Sequence, residues 1–181
     1  MVQKIKKDDY YMEIAKAVAL KGNCLSAAMG CIIVKDDQII STGYVGAPRK
    51  TQDCTELGFC IRRKKGIKSG TCYETCRSVH AEANAIINAA RAGVSLLNGD
   101  MYLYAAKREE WDKWTPIKAY PCLMCKKMII NAGIKRFFGN NGDEGLNEYK
   151  IEDWVARWQE IEDISLDAEQ YGINYDKPRQ E

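Results

Sequence analysis

Two short motifs limit what this chain can fold into: His80-Ala81-Glu82 and Pro121-Cys122-Leu123-Met124-Cys125. Each heads an apolar periodicity that predicts a helix, and a predicted strand lies between them. Cys122 and Cys125 stand three positions apart, so both thiols project from one face of a first helical turn. The positive end of the helix dipole there favours thiolates over thiols. His80 is the one histidine of the chain, and from a second helix opening it completes a set of three nitrogen and sulfur donors. Three protein donors leave a tetrahedral zinc one open position, the catalytic rather than the structural pattern. The fold must therefore bring these two helix openings together.

The rest of the composition narrows the setting. At 181 residues the chain is about one domain long and can bury a core without disulfides. Lysine and arginine number 27 against 25 acids, a net charge of +2, which argues against a broad nucleic-acid surface. A few local cations would still suffice for a small anion. The first residues lack the apolar stretch of a secretory signal, and no apolar run approaches membrane-spanning length. The expectation is a soluble cytoplasmic protein with no membrane partner. Its eight cysteines should then stay reduced, which favours metal binding or catalysis over disulfides.

Element order follows from periodicity. Asp8 and Asp9 suit the cap and first turn of a helix that buries Tyr11, Ile14, Ala15 and Val18 and stops at Gly22-Asn23. Residues 30–35 and 38–42 read as a hairpin turning at Asp36-Asp37. Residues 43–79 show little periodicity and carry four cysteines, so something other than a core should tie them down. A helix follows from His80 to about Gly93, then a strand over 101–105. Next come a helix with Pro121 at its first position and Gly133 at its end, and a strand over 134–138. Ile151, Trp154, Val155, Trp158 and Ile161 form the stripe of a last helix, and the tail beyond Tyr171 reads as weakly ordered. This order predicts an α/β sheet sandwiched by helices. Residues 1–165 form one domain, with an insertion at about 107–118, and 166–181 form a C-terminal extension.

Glu82 need not bind metal, and from two positions past His80 it can reach a water in the open position. It would take the proton of a water attacking C4 of a pyrimidine and deliver protons to ring N3 and to the departing amine. A carboxylate can do both once burial raises its pKa. The pattern H-x-E…P-C-x-x-C resembles that of zinc-dependent nucleobase deaminases.

Further motifs sharpen the resemblance. Residues 43–49 read Gly-Tyr-Val-Gly-Ala-Pro-Arg, residues 76–86 read Cys-Arg-Ser-Val-His-Ala-Glu-Ala-Asn-Ala-Ile, and Ile129-Ile130-Asn131-Ala132-Gly133 follows the Cys122/Cys125 pair. From about Tyr10 to Phe138 the chain resembles the deoxycytidylate deaminase family of the cytidine-deaminase-like superfamily. That resemblance implies a three-layer α/β/α sandwich around a mixed sheet, a catalytic Zn2+, and conversion of dCMP and water to dUMP and ammonia. It also implies a homo-oligomer and a nucleotide effector. Tyr44, Val45, Arg49, Lys50, Arg77 and Asn84 become substrate-side candidates. Some relatives hold a second, structural zinc, for which Cys24, Cys54 and Cys76 match best, with Cys60 or Cys72 as a fourth thiolate; Cys31 falls on a strand as core. The chain departs from the family loop GYNGxPxG at Val45 and Lys50, and Gly139 stands where relatives often carry an aromatic residue. The insertion, with Trp111 and Trp114, either reshapes the pocket or packs its own tryptophans. Two other functions fit parts of the pattern: tRNA adenosine deamination, and a non-catalytic zinc-stabilised binding or regulatory protein.

Overall fold

Asp36 and Asp37 both take positive φ, 49° and 63°, and turn the chain between β1 (Ala27–Lys35) and β2 (Gln38–Tyr44) as a two-residue hairpin. The computed structural model describes residues 4–68 and 71–158. Helix α1 (Lys7–Ala19) precedes the hairpin. After it come the one-turn helices α2 (Cys54–Leu57) and α3 (Ile61–Lys64), a 3-10 turn (Tyr73–Thr75), and α4 (Ala81–Ala92). Then follow β3 (Asp100–Arg108), β4 (Trp114–Pro116), α5 (Leu123–Asn131), β5 (Arg136–Asn140), β6 (Leu146–Lys150) and α6 (Ile151–Trp158). Tail residues beyond 158, including Ile161 and the 166–181 extension, lie outside the described residues.

The strands form one mixed sheet in the order β2-β1-β3-β5-β6, with β4 also paired to β3. Only the β3–β5 pair is parallel among these ladders. Residues of β1 and β3 are apolar almost without interruption because both faces are covered. Cys31, Ile33, Met101, Leu103 and Phe137 point to the side of α4, α5 and α6, where they pack with Ala85, Ile129 and Trp154. Ile32, Val34, Tyr102, Tyr104 and Phe138 point the other way, onto Tyr11, Met12, Ala15 and Ala19 of α1. The period-2 alternation thus builds two cores, one on each face, and the three-layer α/β/α sandwich expected from the sequence is present.

Two glycines set how low the helices lie. A Cβ on Gly30 would stand 2.2 Å from the Ala15 carbonyl of α1, and one on Gly43 would stand 2.3 Å from both Ala81 O and Ala85 N of α4. At that distance side chains can lace α4 to β2. Ser41 Oγ donates to Ala85 O at 2.6 Å, Asn84 Nδ2 to Tyr44 O at 2.8 Å, and Asn88 Nδ2 to Thr42 O at 2.7 Å. On the far side of β3, β4 and β5 share one edge, and buried Asn140 stitches it. Its Oδ1 accepts from Ala105 N at 2.8 Å, while its Nδ2 donates to Ala105 O and to Ile117 O. Its carbonyl also accepts from Ala119 N at 2.7 Å.

Several local expectations need correction. Lys6, without a side-chain bond, is the N-cap of α1; Asp8 and Asp9 lie in its first turn, and Asp8 instead accepts from Tyr102 Oη at 2.6 Å. The helix ends at Ala19, before Gly22, and buries Met12 and Ala19 more fully than Ile14 and Val18. Pro121 precedes the N-cap of α5 rather than opening it, because Cys122 holds that place. The first strand begins at Ala27 and the third reaches Arg108, since pairing between them continues past the apolar run. Strand β6 (Leu-Asn-Glu-Tyr-Lys) is an addition, its polar sequence tolerated at the sheet edge. Of the last stripe, Ile151 and Trp154 are buried and Val155 is exposed. No helix among the described residues is long and apolar enough to cross a membrane.

Gly43→Ala should cost at least about 3 kcal/mol, the upper range for overpacking, because the atoms in its way are backbone. Urea denaturation monitored by circular dichroism reads this as a lowered midpoint at an unchanged slope.

Candidate active site

His80 and Cys122 are the N-caps of α4 and α5, both in extended backbone conformation, and Cys125 lies in the first turn of α5. The two helix openings converge on one point. Nδ1 of His80 lies 3.4 Å from Cys122 Sγ and 3.5 Å from Cys125 Sγ, and the three donor atoms all lie within 4.8 Å of one another. Glu82, in the first turn of α4, is buried, and its Oε2 has no hydrogen-bond partner.

Charge in this cluster is strongly coupled. The hydrogen bond from Cys125 is the main cause that draws the Cys122 thiol down to about 4, and His80 assists it against burial. Cys125, as the donor in that bond and buried beside Glu82, is pushed up. One thiol therefore ionises readily while the other is held neutral. Burial disfavours the charged His80 ring, yet the bond to Cys122 and the nearby Glu82 leave it raised overall. Burial is also the first cause that raises the Glu82 carboxyl, with the His80 charge opposing.

The donor set fits zinc. A tetrahedral ion with Zn–S of about 2.3 Å and Zn–N of about 2.0 Å separates sulfur from nitrogen by about 3.5 Å, close to the spacing seen. A divalent cation would let both thiols ionise, and the orphaned Glu82 oxygen marks a polar neighbour that the protein itself does not satisfy.

The second group of cysteines is looser. Cys54 is raised by burial and then by the charges of Cys24, Cys60 and Cys76, so these three thiols lie in its neighbourhood. Cys60 is held down by the amides of Arg63 and Arg62 against its burial. Cys72 is exposed and stands outside this set. Among the described residues, only His80, Cys122 and Cys125 form a group of three or more metal-donor side chains within 4.8 Å. Cys31 is fully buried in the core, as expected.

The substrate-side candidates lie on three stretches: the end of β2 and the loop after it (Tyr44, Val45, Arg49, Lys50), the segment before His80 (Arg77), and α4 (Asn84). Val45 is buried, with its amide on Met29 O and its carbonyl accepting from Asn23 N. The loop reaches the site through Gly46, whose backbone pairs with Val79 in both directions, at 3.1 and 2.7 Å. Tyr44 and Asn84 meet through the Tyr44 carbonyl. Arg49 donates to Asn88 Oδ1 at 2.6 Å, and Arg77 Nε donates to Gln52 O. Lys50 is exposed at φ 65°, the left-handed conformation that suits the glycine of the family pattern. Gly139 has no room for an aromatic ring, since a Cβ there would stand 2.3 Å from Ala119 O. In the insertion, Trp111 and Trp114 pack on the guanidinium of buried Arg108, whose Nη2 donates to Gly22 O at 3.2 Å. The tryptophans thus pack on Arg108, which itself bonds the loop before Cys24, and Trp114 also packs against the core under α1.

Three residues near the site were not anticipated. Asn23, read as a helix stop, accepts from Ala47 N and donates to Asp53 Oδ2 at 2.6 Å, tying two loops together. Tyr73 and Arg62 lie in the aperiodic stretch, and no pattern in the sequence distinguishes them.

Residues 5–139 match the family described as the cytidine and deoxycytidylate deaminase zinc-binding region. The chain is 34% identical over 128 residues to deoxycytidylate deaminase of Schizosaccharomyces pombe, covering 71% of this chain and 35% of that one. It thus spans about a third of that relative's length. It is 33% identical over 134 residues to deoxycytidylate deaminase of Mycobacterium phage D29, covering 71% of this chain and 90% of the relative. Among solved structures, dCMP deaminase of cyanophage S-TIM5 in complex with dCMP and dUMP shares the fold. Its TM-score is 0.53 at 23% identity, over 74% of this chain and 80% of that one.

Cys125→Ser should lower the zinc content of purified protein well below that of the wild type, whereas Cys72→Ser should leave it unchanged. Atomic absorption on the two variants side by side checks this.

Proposed function

The chain belongs to the cytidine and deoxycytidylate deaminase zinc-binding family, and from that membership we propose that it hydrolytically deaminates a cytosine nucleotide, dCMP foremost. The observation that carries the reading is the buried Glu82 carboxylate, one oxygen of which has no partner, set beside three converging metal donors. Support for dCMP comes from the deoxycytidylate deaminases that resemble the chain and from the dCMP and dUMP bound to the cyanophage enzyme.

His80, Cys122 and Cys125 would hold zinc. When bound, the ion supplies Lewis acidity and brings water within reach of ionisation near neutral pH. Glu82 takes a proton from the water that adds to C4 and hands it to ring N3. It then takes the remaining proton of the new C4 hydroxyl and gives it to the amino group. The C4–N bond breaks, ammonia leaves, and the ring keeps its N3 proton as uracil. The raised carboxyl suits this double role, because a group that must both accept and return a proton works best near the operating pH. Tyr44, Val45, Asn84, Arg49, Lys50 and Arg77 remain the residues we assign to the substrate side. In this reading the protein is a cytoplasmic homo-oligomer open to a nucleotide effector.

A second, structural metal belongs to the same proposal. The charges of Cys24 and Cys60 act on both Cys54 and Cys76, whereas Cys72 is exposed, so Cys60 rather than Cys72 would be the fourth thiolate. Closing that set around zinc would tie down the aperiodic stretch.

Glu82→Gln should lower ammonia release from dCMP by about 10²- to 10⁴-fold with zinc retained. Turnover left unchanged would sink the mechanism, and deamination of tRNA but not of free nucleotides would move the substrate to RNA. Fully loaded wild-type protein should contain two zinc ions per chain, and Cys60→Ser should lose one of them while still deaminating. A single ion in fully active protein would remove the second site.

A further inference from the structure

Tyr73 and Arg62 have no part in the proton transfers above, yet the fold invests several unusual features in placing them. The Tyr73 ring meets the His80 ring edge-on, with centroids 5.0 Å apart and planes at 83°. Tyr73 keeps part of its surface open.

Its placement depends on what stands behind it. Arg62 is 7% exposed, and its guanidinium carbon lies 5.1 Å from the Tyr73 ring centroid. Nη1 of Arg62 donates to Cys72 O and Nη2 to Lys68 O. Cys72 takes φ 48°, a conformation that residues with a Cβ seldom adopt, and its carbonyl accepts further bonds from Thr75 N and Oγ1. A buried cation thus holds a strained turn, and the turn directs the next residue toward His80. A ring that served only to fill the core would need neither.

We propose that Tyr73 contacts the substrate, its ring forming a wall on which the planar pyrimidine rests beside His80, and that Arg62 is the positioning residue that keeps the wall in place. This rests on the cytosine nucleotide reading above. An aromatic face held ready for a flat heterocycle adds binding that is the same in ground and transition states. Its loss should therefore raise KM and spare kcat.

The test is steady-state dCMP deamination by zinc-loaded wild type, Tyr73→Phe, Tyr73→Leu and Arg62→Met, with zinc content and thermal midpoint measured on each. Tyr73→Phe should keep the wild-type KM. Tyr73→Leu should raise KM about three- to tenfold with kcat within about twofold and zinc intact, and Arg62→Met should follow it in KM. A wild-type KM in Tyr73→Leu overturns the proposal. So does a KM rise that comes only with zinc loss, because Tyr73 would then act through His80. If Tyr73→Leu fails to fold, an unchanged KM in Arg62→Met overturns it instead. Absence of turnover in the wild type with any cytosine nucleotide strikes the parent reading, and it shows before any variant is compared.

Discussion

The backbone of α4 passes so close over Gly43 that a methyl group there would stand 2.3 Å from a peptide oxygen and a peptide nitrogen of the helix. From that approach much of the site follows. Three side chains reach between α4 and the carbonyls or strand of β2, and each such bond contributes about 1 kcal/mol net. More useful than their sum is the rigidity they confer on the opening of α4. His80 caps that opening and Glu82 sits in its first turn, so both inherit the seat of the helix on the sheet. On the same face, α5 delivers Cys122 and Cys125. A donor triangle within 4.8 Å is possible because two helix ends rest on one rigid surface.

The electrostatics of the triangle explain why it calls for a cation. Two thiols and one carboxyl, all buried, carry negative charge when ionised, and one imidazole stands among them. Without a metal the group shares protons, with one sulfur charged at the expense of the other. Uncompensated charge in such surroundings costs several kcal/mol per ion. A divalent ion answers that cost and leaves Glu82 as the one group whose proton is available for exchange.

Much of this was legible in the residues themselves. The apolar runs of β1 and β3 and the helical spacing after His80 and Pro121 are local features, and the elements they predicted are those that build the two cores. The donor triangle was legible because histidine is unique in the chain and thiols three apart share a helix face. Cap positions shifted by a residue or two, since backbone geometry rather than residue type decides where a helix starts. Strand β6 was invisible because an edge strand with one ladder can be polar. Tyr73, Arg62 and Asn23 were invisible for another reason: each matters through a contact across an aperiodic stretch, which no spacing encodes.

Asn140 has a consequence for the history of the chain. Its side chain imitates a peptide group, filling the place on β3 where β5 gives out and β4 has yet to pair. By gripping Ile117 and Ala119 it returns the backbone to a fixed point just before Pro121. Whatever length of ribbon leaves at Arg108 must come home to that same address. The tip between Glu109 and Lys113 is therefore free to lengthen, shorten or change composition across generations, while the cysteines downstream stay in register with His80.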